Sequence, residues 1–234
     1  MFYCKNGMDK VFLIGGSKSW SKRIDEFVTK DIPRSAQIAV VATAAVNDPN
    51  PKYDQYTYFE VLKKQYQKLG FAKFDLVNIE KKSDSNKPSI IKQLNRADVI
   101  YLGGGDTRFL LNCLVKTRAA STIKEQVRKG KLIIGNSAGA MVLGEKVPIE
   151  IERSKKKEFE LWPGLNVLSK LFILAHVNRW NRQRQFRRLA DSNPILVGLG
   201  LPEYSIAKIS DKRITIYCLK STRLKKTFSK KHIR

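Results

Sequence analysis

The residues best suited to covalent chemistry in this 234-residue chain stand together in Gly135-Asn136-Ser137-Ala138-Gly139-Ala140. The apolar segment Leu132-Ile133-Ile134 runs directly into them. A strand followed at once by Gly-x-Ser-x-Gly predicts a sharp strand-to-helix turn that lifts a serine hydroxyl above the edge of a sheet. The small neighbours Gly135, Ala138 and Gly139 relieve crowding where such a turn is strained and its helix packs close. The same letters also suit an ordinary turn whose serine caps a helix.

A serine hydroxyl is a weak nucleophile and needs a base within hydrogen-bond reach. The chain has two histidines, and His232 lies in the basic C-terminal stretch, which leaves His176 as the internal candidate. His176 follows the apolar run Leu171 to Leu174, the position at which loop residues collect around a ligand at the carboxyl edge of an α/β sheet. Acyl transfer further requires donors aimed at an oxyanion, each worth about 3 kcal/mol of barrier in known cases. The backbone N–H of Ala138 is one source, and the Gly103-Gly104-Gly105 turn is the other. Neither that turn nor Gly15-Gly16 completes a P-loop or a dinucleotide fingerprint.

The elements that must position these residues are legible as an alternation of short β-rich runs and helical periodicities, which predicts α/β class with a mostly parallel sheet covered on both faces. Strands are expected at Val11 to Ile14, Ile38 to Ala42, Phe74 to Ile79, Val99 to Leu102, Leu132 to Ile134 and Leu171 to Leu174. Further strand-like pieces lie between Ile195 and Leu219, with a hairpin turn at Asp211-Lys212. Helices are expected after Gly15-Gly16 (with Ile24 and Phe27 inward), from Tyr53 to Leu69, up to about Asn95, and after a cap at Asp106 or Thr107.

Length and composition suit one α/β domain over residues 1–219, followed by a basic tail at 220–234. No apolar run approaches the ~20 residues of a membrane span, and the N-terminus lacks the pattern of a secretory signal, so a cytoplasmic location is expected. Three scattered cysteines, Cys4, Cys113 and Cys218, fit a reducing compartment and lack metal-ligand spacing. Cys113, inside Phe109-Leu110-Leu111-Asn112-Cys113-Leu114, is expected as a small buried hydrophobe. The net charge of +24 would favour polyanions, but no zinc-finger spacing or aromatic-studded module accompanies it.

Four segments in order carry a family likeness: Tyr101-Leu102-Gly103-Gly104-Gly105-Asp106-Thr107, the Ser137 stretch, the isolated His176, and Gly198-Leu199-Gly200-Leu201-Pro202-Glu203. Together they resemble the dipeptidase E and cyanophycinase family of serine peptidases, over roughly Val11 to Leu219. The resemblance implies a three-layer α/β/α fold like that of class I glutamine amidotransferases, flavodoxin-like in its core, with serine replacing their nucleophilic cysteine. It implies Ser137 as nucleophile, His176 as base and Glu203 as orienting acid, with Glu150 and Glu152 as alternatives for the acid. Gly104, Gly105, Asp106 and Ala138 would contact substrate, and no metal or organic cofactor would be needed.

The implied substrate is a short peptide, aspartyl or isoaspartyl ones included. Two positions depart from the family: dipeptidases carry Asn where this chain has Asp106, and cyanophycinases carry Gln where it has Thr107. Of Arg179, Arg182, Arg184, Arg187 and Arg188, one or two are expected to reach substrate, the rest lying on the exposed side of a helix whose apolar face is Phe186 and Leu189. The alternatives are a non-catalytic binder of nucleic acid or another polyanion on the same scaffold, and a serine hydrolase of other amides or esters. A homodimer is compatible with the sequence and not required by it.

Overall fold

Val11–Ile14 is apolar at every position and buried at every position, the mark of a strand covered on both faces. In the computed structural model, which describes residues 11–16, 21–47, 54–153, 156–179, 182–210, 213–218 and 225–229, its side chains alternate between two cores. Val11 and Leu13 enter one, Phe12 and Ile14 the other. Every central strand repeats the division, with Ala39, Val41, Ile100, Leu102 and Ile133 on the first side and Ile38, Val40, Val99, Tyr101 and Ile134 on the second.

Numbered in chain order, β1 is Val11–Ile14, β2 Gln37–Val41, β3 Lys73–Leu76, β4 Val99–Leu102 and β5 Leu132–Asn136. They pair in parallel in the order β1-β5-β4-β2-β3. Beyond β1 the sheet continues antiparallel through β10 (Ser205–Ser210), β11 (Arg213–Cys218) and β12 (Lys225–Ser229). The mostly parallel sheet expected from the sequence is therefore present.

Two helices cover the Phe12 face: α1 (Lys22–Thr29), burying Ile24 and Val28, and α2 (Gln55–Gln67), burying Tyr58, Leu62 and Tyr66 at four-residue spacing. The opposite face carries α3 (Pro88–Arg96), α4 (Thr107–Leu114), α5 (Arg118–Arg128) and the short turn α6 (Ala138–Met141). Asp106 caps α4, its Oδ1 accepting the Phe109 N–H at 3.1 Å. Cys113 is buried in the same core, as expected of a small hydrophobe.

Two sequence expectations change. Leu171 to Leu174 lies in a second sheet, not the main one: β8 (Leu168–Ala175) pairs in parallel with β6 (Gly144–Arg153) and with β9 (Val197–Leu201), and β7 (Lys156–Pro163) closes a hairpin with β6. This sheet buries Val147, Ile149, Leu171 and Ile173 in the same core as α6, which is how a strand outside the main sheet still delivers His176 to its edge. Part of the 220–234 stretch is not a tail, because Lys225–Ser229 satisfies the outer edge of β11 as β12. The Asp211-Lys212 turn lies outside the described residues, though Ser210 and Arg213 on either side of it are paired, as a hairpin requires. The segment Arg182–Asp191 forms α7, whose Phe186 packs on Phe172 of β8.

Candidate active site

Ser137 takes φ 51° and ψ −110°, a conformation that L-residues adopt only under constraint. The constraint is visible on both sides of the turn. A Cβ at Gly139 would lie 2.1 Å from the Leu102 carbonyl oxygen, so only glycine lets α6 pack this close to β4. The Ser137 N–H is held by the Ile14 carbonyl at 2.9 Å. The strained strand-to-helix turn anticipated from Gly-x-Ser-x-Gly is the conformation found.

The same end of β1 organises two further segments. The Gly15 carbonyl accepts the His176 N–H at 3.1 Å, and the Gly16 carbonyl accepts the Tyr204 N–H at 2.8 Å. Three consecutive carbonyls thus fix the segments that carry Ser137, His176 and Glu203. Gly16 also seats the imidazole: at φ +87° it turns the chain under the ring, and a Cβ there would stand 2.3 Å from His176 Cε1. The sequence shows a Gly-Gly after a strand, and this use of it depends on segments distant in the chain.

The side chains line up as a relay. Ser137 Oγ lies 3.0 Å from His176 Nε2, and His176 Nδ1 lies 3.0 Å from Glu203 Oε1. With Nδ1 carrying the proton toward the carboxylate, Nε2 is left to accept from the serine. Glu203 is buried, its Oε1 also accepting from Arg179 Nε at 2.9 Å, and its own N–H donates to Asn178 Oδ1 at 2.8 Å. Burial lowers the His176 pKa from its ordinary value. The hydrogen bond and charge of Glu203 pull it back up, and the charges of Arg182 and Arg179 press it down. The imidazole is therefore held neutral near neutral pH, the form a base requires.

Of the alternative acids, Glu150 pairs with Arg182 at 3.3 Å and Glu152 is exposed on β6, so the carboxylate on the imidazole is that of Glu203. The two glycine turns divide their donors. Gly103 N–H goes to the Val41 carbonyl, Gly104 N–H to the Tyr58 hydroxyl, and Asp106 N–H to the Ala44 carbonyl. The N–H groups of Gly105 and Ala138 find no protein acceptor among the described residues. Gly104, expected as a direct substrate contact through its backbone, thus has its N–H committed to the fold, whereas the Gly105 N–H is not.

A cleft of about 490 Å³ opens onto Ser137 and His176, bounded by Gly105, Asp106, Glu150 and Arg182 among others. Asp106 lines it, but its oxygens are occupied by the Phe109 N–H and by Asn47 Nδ2, both at 3.1 Å. The β6–β7 hairpin forms the far wall through Pro148, Ile149 and Phe159. Arg182 sits over the Phe159 ring and the exposed Arg108 over Trp162, with Arg108 also bonding the Glu150 carbonyl. Arg184, Arg187 and Arg188 face away on the exposed side of α7. Among the described residues no group of three or more His, Cys, Asp or Glu is placed to hold a metal ion.

Sequence and fold comparisons relate the chain to known proteins. The chain is 27% identical to a cyanophycinase of Synechococcus elongatus over 146 residues, 61% of this chain and 45% of that protein, so it spans less than half the relative's length. It is 27% identical to peptidase E of Nostoc sp. over 197 residues, 79% of this chain and 76% of the other. The fold is similar to the crystal structure of a peptidase from an acI-B1 actinobacterium, with a TM-score of 0.67 at 19% identity, covering 95% of each chain. The model of peptidase family S51 matches residues 11–217, which contain the entire Ser137–His176–Glu203 relay, and the chain belongs to that family.

Proposed function

We propose that the protein is a serine-type exopeptidase that hydrolyses short peptides through an acyl-enzyme on Ser137. The observation that carries this reading is the continuous pair of 3.0 Å contacts from Ser137 Oγ through the imidazole to Glu203. Family membership and relatives named peptidase E and cyanophycinase support it.

In this mechanism Ser137 Oγ attacks the scissile carbonyl while His176 Nε2 takes its proton. The carbonyl oxygen becomes an oxyanion facing the N–H groups of Gly105 and Ala138. Collapse breaks the C–N bond as Nε2–H passes its proton to the leaving amine. Water then gives a proton to Nε2, attacks the ester, and releases the acid and free serine. Glu203 holds the imidazole in the tautomer required and stabilises its transient positive charge, and Arg179 holds Glu203.

The guanidinium groups of Arg182 and Arg108 at the cleft suit a substrate carboxylate, in keeping with aspartyl or isoaspartyl peptides. A cytoplasmic location belongs to the same reading, supported by the free Cys113 and Cys218. The test is a screen of dipeptides, α- and β-aspartyl series included, with wild-type and Ser137→Ala protein. Wild type is expected to cleave a subset and the variant none; a variant as active as wild type sinks the mechanism.

A further inference from the structure

The turn that carries Gly105 and the turn that carries Ser137 come from different strands, yet their relative position must hold to a fraction of an ångström for an oxyanion to meet both donors. Their two walls nearly touch: a Cβ at Gly104 would lie 3.3 Å from Ser137 Cβ. No backbone hydrogen bond among the described residues joins Gly104 or Gly105 to the Ser137 segment. The backbone ties the two turns at Gly103, whose carbonyl accepts the Gly139 N–H at 3.0 Å, and one side-chain oxygen from a third element ties them at Gly104, next to the Gly105 donor. Tyr58, on α2, accepts the Gly104 N–H at 3.1 Å and Asn136 Nδ2 at 3.2 Å.

Gly104 immediately precedes the Gly105 donor, and Asn136 immediately precedes the nucleophile. The tyrosine is itself fixed. It is buried, and its ring lies 3.0 Å from where a Gly103 Cβ would stand. It does not line the cleft, so it acts on substrate only through the residues it holds.

We infer that Tyr58 is the positioning residue of the oxyanion site, its hydroxyl tying the glycine turn to the nucleophile turn so that Gly105 and Ala138 present their N–H groups at one point. This rests on the serine-peptidase reading above. It assigns α2 a direct part in the chemistry, although the helix contributes no residue to the cleft. Replacing Tyr58 by Phe preserves the ring and its packing while removing the shared acceptor, so the loss falls on oxyanion stabilisation rather than on binding or on the base.

The experiment follows phosphorylation of Ser137 by diisopropyl fluorophosphate, in which the Oγ–P bond forms as fluoride leaves and the phosphoryl oxygen occupies the oxyanion site. Wild type, Tyr58→Phe, Asn136→Ala and the double variant are compared, with Tyr66→Phe as control, because the buried Tyr66 hydroxyl has no hydrogen-bond partner among the described residues. Tyr58→Phe is expected to lower the maximal labelling rate about 10- to 100-fold, with the probe's half-saturating concentration and the pH midpoint unchanged. Asn136→Ala should lower it less, the double variant should fall short of the product of the two, and Tyr66→Phe should match wild type.

A folded Tyr58→Phe that labels at the wild-type rate overturns the inference and leaves the peptidase reading standing. A loss confined to half-saturation, or accompanied by a shifted pH midpoint, also overturns it. Should Tyr58→Phe fail to fold, Asn136→Ala at the wild-type rate overturns it equally. Wild-type protein that takes no label at Ser137 removes the functional reading itself.

Discussion

Burial draws the His176 imidazole toward its neutral form and the Glu203 carboxylate draws it back, with the first influence the larger. Activity is therefore expected to rise with pH through a midpoint below the ordinary histidine value of about 6.5, read from kcat/KM against pH. Glu203→Gln removes the charge that raises the pKa and weakens the hydrogen bond that does the same. Its midpoint should move lower still, and its plateau rate should fall by about 10³- to 10⁴-fold because the tautomer is no longer enforced. A second residue-level test concerns Gly16. Gly16→Ala must displace either the imidazole or the backbone at φ +87°, so kcat is expected to fall at least about 10²-fold in a protein that still binds its substrate.

At this scale Ser137 and His176 were legible because their residue types and adjoining strands declare a chemistry. Glu203 was legible only through the order of family motifs, since a single carboxylate at a strand end has no signature of its own. Gly16 and Tyr58 were not legible as site residues, and Arg179, read among the arginines that could reach substrate, was not legible as the partner of Glu203. Each acts through a contact with a distant segment, and periodicity marks Tyr58 as nothing more than part of an apolar face.

Among the elements, α4 carries the clearest test of what Asp106 does. Its carboxylate caps the helix and bonds Asn47, so Asp106→Ala should cost about 1 kcal/mol of stability, measured by denaturant unfolding, while Asp106→Asn should retain most of it. Activity lost equally in both variants would instead assign the charge to substrate. The strands of the main sheet were legible because uninterrupted apolar runs bounded by glycine turns have few alternatives. The placement of β8 in a second sheet was not, because periodicity reports that a strand is buried and not which neighbour covers it. The β6–β7 hairpin did have a signal in the alternation of Val147, Ile149 and Ile151. Its consequence, a wall holding Glu150 and Phe159 across from Ser137, depends on the fold.

For the molecule as a whole, one buried acid makes stability depend on pH. Desolvation, with a smaller contribution from Glu26, raises the pKa of Asp25 to about 7. The folded state thus binds a proton that the unfolded chain releases near 4. Stability from this group is complete below that value and is lost as pH rises through about 7. Asp25→Asn should therefore stabilise the protein at pH 8 by up to about 4 kcal/mol relative to its effect at pH 4, read as a difference in unfolding free energy.

The net charge of +24 acts on the same quantity through self-repulsion, and added salt should raise the melting temperature. The catalytic account is tested most directly by treating the protein with a fluorophosphonate and mapping the adduct by peptide mass spectrometry. A single adduct on Ser137, absent from Ser137→Ala and strongly slowed in His176→Ala, is the predicted result. An enzyme that cleaves peptides yet takes no adduct at Ser137 would contradict the account.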